Sequence, residues 1–458
     1  MLSPHLRKTD MTVIVSILLA VCLVGLLILG TPICIAIAIS SVVAGGVALD
    51  FDMMLQTGAQ RTFTGISVFT LIAIPFFILA GDIMNQGGIA LRLMNFARLL
   101  VGRLPGCYAH TNAMANMMFG AISGSGVAAA SAMGSIVGPI AEKEGYERDY
   151  MATVNIATAP TGLLIPPSNV LITYALVSGG TSVAALFIAG YIPGILWGLV
   201  CMVLAGFLAH SRGYKKDSQK ITLPIAMKVT FDAIPSLLLI VLVIGGIVAG
   251  AFTATEGAIV AVVYSLILSL CYRTINLKKL LKIYANSVQM TGIIILLIGV
   301  SSIMSWVISF VNIPDAVGEL LRGISDSKIV ILLIINIVLL FVGTFLDTTP
   351  AVLIFTPIFL PIAISCGISP VEFGIIITFN LCIGLITPPV GNILFVGVKV
   401  GKTTIEKVIK PLLPYYALIF MVLMLITYLP FLSSYLAYLA GYPEALGPVS
   451  KDMLGLTP

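Results

Sequence analysis

The chain has 458 residues, of which 59% are hydrophobic and 9% charged, with a mean hydropathy of +1.12. A soluble domain carries roughly 25% charged residues, so soluble enzymes and nucleic-acid-binding domains are excluded; roughly ten spans of about 20 residues fit the apolar content. The net charge of +5 matters through its placement, because Lys and Arg on short loops report orientation.

Residues 11–29 and 33–49 read as the first two spans, separated by Gly30, Thr31 and Pro32. The first follows Arg7 and Lys8 as a signal peptide would, but it lacks a small-residue cleavage site and more spans follow, so it reads as a transmembrane helix. Residues 68–84 form a third span. Residues 87–103 set Leu91, Leu93, Met94, Phe96, Leu99 and Leu100 against Arg92, Arg98 and Arg103, the pattern of a basic amphipathic helix lying on the cytoplasmic interface.

Residues 107–141 are apolar, yet their middle reads GAISGSG (120–126), and each flank is short for a span. A re-entrant hairpin with a Gly/Ser tip fits. The charged loop 142–149 then shares a side with the basic helix. Residues 150–177 contain GLLIPPS (162–168). A Pro-Pro pair breaks the helical ladder, and within a membrane such a break is tolerated only where protein or a polar cavity takes up the freed backbone. Residues 184–210 are an ordinary span. The following loop carries Arg212, Lys215, Lys216, Lys220 and Lys228 against Asp217 and is cytoplasmic by its charge.

The plan then starts again. Spans at 235–250 and 254–272 precede a basic segment at 273–282 and a span at 287–311. A short amphipathic segment at 314–322, with Asp315 and Glu319, leads to a second hairpin at 329–364 whose tip reads GTFLDTTP (343–350). Residues 373–398 hold a second broken span, GLITPPV (384–390). Lys399, Lys402, Lys407 and Lys410 mark another cytoplasmic loop, and 412–432 is the last span. The domain reading is therefore a first repeat at 1–211, a basic loop at 212–234, a second repeat at 235–432 and a tail at 433–458.

Sliding the chain by 222 positions, the separation of Pro166 and Pro388, superimposes the halves without a gap. Pro139 falls on Pro361, Gly145 on Gly367, Gly162 on Gly384, Pro167 on Pro389, Gly179 on Gly401 and Thr181 on Thr403. This is an internal repeat. The basic segments place the first hairpin on the cytoplasmic side and the second outside, so the repeats are inverted about an axis in the membrane plane and both termini lie outside. Arg7 and Lys8 argue against that, outweighed by the larger basic clusters. The expected fold is an all-α polytopic membrane protein of two inverted repeats, each with a re-entrant hairpin and a broken helix.

Two tips and two breaks meeting near the midplane offer bare N–H groups and carbonyls. Helix N-termini favour a carboxylate, and carbonyls with Ser or Thr hydroxyls favour Na⁺. The candidates are Ser123, Ser125, Gly162, Ile165 and Pro166 in the first half and Gly343, Gly384, Thr387 and Val390 in the second. Ordinary helix packing is the competing reading for the glycines and prolines. Asp347, followed by Thr348 and Thr349, is a carboxylate at membrane depth, where insertion costs about 2.5–3.5 kcal/mol; it holds a cation, carries a proton, or caps the next half-helix. Ser125, Asp347, Thr348 and Thr349 at the tips are also candidate substrate contacts, as are Asn155, Thr158, Ser168, Asn169 and Asn380, which line the broken spans and contact substrate or satisfy backbone. Glu256 reads as a capping residue after Thr253 or Thr255.

Other motifs carry less. Gly401-Lys402-Thr403 resembles the end of a phosphate-binding loop, but Val396 stands where its first glycine belongs. His5, His110 and His210 are too dispersed for a metal site. Seven cysteines, none in CxxC, read as small packing residues. No Ser/His, HExxH or paired-Asp arrangement at membrane depth suggests an enzyme, and no cofactor is expected beyond Na⁺ as coupling ion.

In MFGAISGSGVAAASAMGSI (118–136), GLLIPPSN (162–169), GAFTATEGA (250–258), GTFLDTTPAVLIFTPIFLPI (343–362) and FNLCIGLITPPVGNILFV (379–396), the chain resembles the large membrane subunit of TRAP transporters, the tripartite ATP-independent periplasmic uptake systems. The resemblance covers essentially the whole chain. It implies an elevator-type secondary transporter of the bacterial inner membrane, driven by Na⁺ and carrying organic acid anions such as C4-dicarboxylates, sialic acid, sugar acids or keto acids. It also implies two partners: a small four-helix membrane subunit, expected as a separate chain, and a periplasmic substrate-binding protein. By motif, one Na⁺ site uses Ser123 with Gly162, Ile165 and Pro166, and the other uses Gly343 with Gly384, Thr387 and Val390. Gly126 departs from the serine of many relatives. A stand-alone ion-coupled organic anion transporter or exchanger of the same inverted architecture is the alternative.

Overall fold

The computed structural model describes residues 4–214 and 222–456, and among them there is no strand. Lys215, Lys216, Asp217 and Lys220 of the basic loop, and the side chains of His5, Arg7 and Lys8, lie outside the described set. In chain order the first half comprises α1 (Pro4–Ile28), α2 (Ile33–Ala48), α3 (Phe51–Ile66), a short 3₁₀ turn (Phe69–Ile72), α4 (Ala73–Gln86), α5 (Ile89–Val101), α6 (Cys107–Ser123), α7 (Gly126–Lys143), α8 (Arg148–Thr158), α9 (Thr161–Leu164), α10 (Asn169–Val177) and α11 (Val183–Ser211). The second comprises α12 (Leu223–Val248), α13 (Ala254–Cys271), α14 (Leu277–Phe310), α15 (Ile313–Ile324), α16 (Lys328–Gly343), α17 (Thr348–Ser365), α18 (Pro370–Gly384), α19 (Asn392–Gly401) and α20 (Ile405–Tyr428); α21 (Phe431–Leu439) and α22 (Pro448–Met453) follow. Among the described residues, eight helices are long and apolar enough to cross a membrane, or ten if two bent pairs each count as one span.

Local chemistry sets the breaks. Ser125, Ser168, Ser182 and Asn276 accept backbone N–H bonds at the starts of α7, α10, α11 and α14. Thr253 with Glu256, and Ser369 with Glu372, form reciprocal capping boxes at α13 and α18. Glu256 is thus the expected cap. The α8–α9 arm and α10 bend by 45° across the Pro166-Pro167 break, and both Pro-Pro bonds, 166–167 and 388–389, are cis.

Three parts go beyond the sequence reading. Residues 51–66, to which it assigns no element, form α3, a helix carrying Asp52, Gln56, Gln60 and Arg61. The third span begins as a 3₁₀ turn and becomes α-helical only at Ala73. The tail after residue 432 is folded: α21 packs on α11 and the 3₁₀ turn Pro443–Ala445 on α18.

Two groups of helices result. In one, α1 packs on α2, α4 on α13, and α14 runs against α2, α3 and α4. The other holds both hairpins, α6–α7 and α16–α17, with both broken spans and α11. Within it the halves cross: α10 of the first half packs on α17 of the second hairpin, and α19 of the second half packs on α7 of the first. Where charges crowd beyond the first hairpin, Arg148 pairs with Glu142 and Arg212 with Glu147, and the hydrogen bond from Arg148 holds the Glu142 carboxyl below its ordinary pKa.

Candidate cation and substrate site

Each hairpin tip meets the break of its own half. In the first, Gly124 takes φ +60° at the tip, and a Cβ built there would stand 3.0 Å from the Pro167 carbonyl oxygen and 3.6 Å from the Asn169 backbone nitrogen. Three residues upstream of Ser123, Gly120 faces Gly162: a Cβ on Gly162 would stand 2.3 Å from the Gly120 Cα. In the second, the Val390 N–H donates to the Thr344 carbonyl at 3.3 Å, and a Cβ on Gly384 would stand 2.2 Å from the Gly343 carbonyl carbon. Only glycine permits these backbone contacts.

The breaks leave acceptors. Among the described residues the carbonyls of Ile165, Pro166 and Pro167 receive no hydrogen bond, nor do those of Thr387, Pro388 and Pro389. The Ser123 hydroxyl reaches only the Ser125 carbonyl, at a long 3.4 Å. The Thr387 hydroxyl donates to the Ile383 carbonyl at 2.7 Å, which leaves its oxygen lone pairs available. The contacts shown thus run from Gly120 to Gly162 and from Gly124 to Pro167 and Asn169 in the first half, and from Gly343 to Gly384 and Thr344 to Val390 in the second, beside carbonyl oxygens of the kind a hard cation takes.

The proposed substrate contacts divide. Ser125 and Ser168 act as N-caps, accepting from Ala128 and Leu171, beside half-buried Asn169, whose Oδ1 has no partner among the described residues. In the second tip, exposed Asp347 is the N-cap of α17, accepting from the Thr348 N–H at 2.7 Å, with Thr349 half-buried behind it. The capping role holds, and the carboxylate stays open to a ligand.

Asn155, Thr158 and Asn380 are elsewhere, in buried networks that leave Asn116 Oδ1 and Asn380 Oδ1 without a partner among the described residues. Asn116 on α6 donates to Asn155 Oδ1 at 3.1 Å and to Thr158 Oγ1 at 2.8 Å, while Asn155 Nδ2 donates to the Ala130 carbonyl at 2.8 Å. Asn380 donates to Asn336 Oδ1 at 2.7 Å, and Asn336 donates to Thr427 at 3.0 Å. These fully buried side chains tie hairpin helix to broken span once in each half. Sequence reading did not supply the partners Asn116 and Asn336, because only the fold brings them near. It also did not single out Arg61, although its position as the lone cation between Lys8 and Arg92 was visible.

Paired hairpins and paired broken spans in a bundle of apolar helices define a polytopic membrane protein of transporter architecture. The chain belongs to the tripartite ATP-independent periplasmic transporter family, as its DctM component, which matches residues 20–432. It is 54% identical over 408 residues to the uncharacterized protein YgiK of Salmonella typhimurium, covering 89% of this chain and 94% of that one. It is 37% identical to the isethionate TRAP transporter permease protein DctMQ of Oleidesulfovibrio alaskensis, covering 90% of this chain and 64% of that one. It is 36% identical to the sialic acid TRAP transporter large permease protein SiaM of Vibrio cholerae, covering 89% and 94%. Among solved structures, the Alcanivorax borkumensis YdaH transporter shares the fold, with a TM-score of 0.59 at 16% identity over 87% of this chain and 90% of that one. The protein is a multi-pass inner-membrane permease subunit of a tripartite ATP-independent periplasmic transporter. Its family implies a small membrane subunit and a periplasmic binding protein as partners.

Proposed function

We propose that this permease couples inward movement of Na⁺ to import of an organic acid anion released by a periplasmic substrate-binding protein, with a separate four-helix subunit bracing it in the membrane. The observation that carries the reading is the twofold cradle: each tip abuts a break whose carbonyls are without hydrogen-bond partners, Ile165–Pro167 in one half and Thr387–Pro389 in the other. Free carbonyls and hydroxyls at broken helices coordinate Na⁺, and half-helix N-termini face an anionic group. The starts of α7, α10, α17 and α19 lie at these tips and breaks, so a carboxylate placed between them gains from four helix dipoles.

The basic segments after α13 and at the end of α19, at 273–282 and 399–410, set against the basic helix and loop of the first half, orient the halves as inverted repeats. The hairpins and broken spans, which pack on one another across the halves, then move together as a transport unit against α1–α4 and α12–α14. The anion is of the class named for the relatives, a carboxylate or sulfonate such as sialic acid or isethionate; much of the choice among them belongs to the binding protein. The test is uptake into proteoliposomes holding this chain, the small subunit and the binding protein. The reading expects accumulation that needs the binding protein and an inward Na⁺ gradient. Transport without any binding protein would favour the stand-alone exchanger instead.

A further inference from the structure

One cavity among the described residues is lined by no residue of either cradle. It has a volume of about 450 Å³ and sits where α3 and α14 face the end of α10 and the start of α17, within the roughly 300–1,000 Å³ that small-ligand sites occupy. Arg61 on α3 enters it. The guanidinium has neither an acidic partner nor a hydrogen bond among the described residues; its contact is with the Trp306 ring, 5.7 Å from the centroid. Across from it, Ser301, Ser305 and Ser309 recur every four residues on one face of α14. Ser301 is 2% exposed, and its hydroxyl has no partner. A buried hydroxyl without a partner costs about 1–3 kcal/mol, while Arg61 is exposed, on a helix outside the membrane-spanning set, so its guanidinium is open to a ligand.

Thr64 of α3 and Ser302 of α14 also line this side, with the Trp306 ring, and the facing side is apolar: Leu176 and Val177 from α10 and Leu353 from α17. One wall therefore belongs to the α3–α14 pair and the other to the hairpin and broken-span group. We propose that this cavity is a docking site for a small organic anion, its carboxylate or sulfonate held by Arg61 with the Ser301 and Ser305 hydroxyls and its carbon skeleton against the Leu353 side. A planar guanidinium with adjacent hydroxyls matches such oxyanions. The inference rests on the transport reading above, and it places an anion station at the seam between the two helix groups, separate from the tips.

The test uses the full chain in nanodiscs of zwitterionic lipid and reads intrinsic fluorescence, since the chain has two tryptophans and one of them, Trp306, lies beside Arg61. Succinate, N-acetylneuraminate and isethionate are titrated as probes, with inorganic sulfate as control. The probe that the wild-type assembly imports is expected to give a saturable change that Trp306→Phe removes. Arg61→Gln should weaken it by about 10- to 100-fold, Arg61→Lys by less, and Ser301→Ala, which deletes an unpartnered hydroxyl without disturbing packing, by about 2- to 10-fold. An unchanged Kd in both Arg61→Gln and Ser301→Ala overturns the proposal, as does a signal given only by added anionic lipid or by sulfate. If the wild-type assembly imports an organic anion and Arg61→Gln imports it with the same KM, this site fails while the transport reading stands. If the wild-type assembly imports no organic anion, including the one its own binding protein holds, the transport reading fails and the docking site is judged on the titration.

Discussion

Gly162 and Gly120 meet backbone to backbone, so that a single methyl group on Gly162 would stand 2.3 Å from the Gly120 Cα. Gly384 repeats the contact on Gly343, with the added carbon 2.2 Å from the carbonyl carbon. In both cases the obstacle is backbone, which cannot swing aside as a side chain does. Close-packed interiors feel even one methylene, and overpacking costs about 1–3 kcal/mol. Gly162→Ala and Gly384→Ala are therefore expected to push tip from break and abolish Na⁺-dependent uptake, while membrane insertion and a monodisperse elution profile persist. Gly292→Ala, with nothing within 4 Å, serves as the control and should transport normally. Wild-type uptake by both cradle variants would show that the close approach has no bearing on transport.

Thr387→Val keeps the shape of the side chain and removes its oxygen. The lost hydrogen bond to Ile383 is local, 2.7 Å within one helical turn, so stability should change little. The Na⁺ concentration for half-maximal uptake should rise by about 2- to 10-fold, the worth of one oxygen contact. Ser123→Ala should do the same in the other half. Dose–response curves for Na⁺ decide this, and a Thr387→Val curve that overlays wild type removes Thr387 from the cradle.

Asn155, Thr158 and Asn380 are expected to hold structure and not substrate. Asn380→Ala strands Asn336, and Asn116→Ala removes the donor to both Asn155 and Thr158. Each should cost about 1–3 kcal/mol through unsatisfied buried groups and lower the melting temperature, with KM for the imported anion unchanged. A large rise in KM at unchanged stability would return these residues to the substrate site.

Glu372, fully buried, clamps the C-terminal segment to α18. Its carboxylate accepts from the Ser369 N–H at 2.7 Å, Ser434 Oγ at 2.9 Å, the Gly447 N–H at 3.2 Å and Ser450 Oγ. Hydrogen bonds to a charged group contribute about 1.5–3 kcal/mol each. Glu372→Ala should free α21 and α22, so that limited proteolysis trims the chain after residue 430 far faster than in wild type. Equal trimming rates would mean that apolar packing alone holds the tail.

Much of this arrangement is legible in the sequence. Gly/Ser tips and Pro-Pro pairs interrupt apolar runs, and such interruptions have one physical reading in a membrane; the hairpins and broken spans fall within a few residues of their expected ends. Helix α3 was hidden by its polarity, because Asp52, Gln56, Gln60 and Arg61 obscure an apolar stripe. The repeat itself contained the missing signal: shifted by 222 positions, Leu277–Phe310 falls on positions 55–88, across α3 and α4. The asparagine ties and the Glu372 clamp join residues far apart in the chain, and no local pattern encodes such pairings. Asn155 and Asn380 looked the same as Asn169 in sequence; only their burial and partners separate them.

The central claim, two cation cradles made by tip and break, is tested most directly by equilibrium binding of ²²Na⁺ to the purified chain in choline buffer, with Gly162→Ala, Gly384→Ala and the double variant alongside. The account predicts saturable Na⁺ binding that K⁺ does not displace, reduced by each single variant and absent in the double. Undiminished ²²Na⁺ binding in the double variant, or no saturable binding in a wild-type chain that still imports anion along a proton gradient, would contradict it.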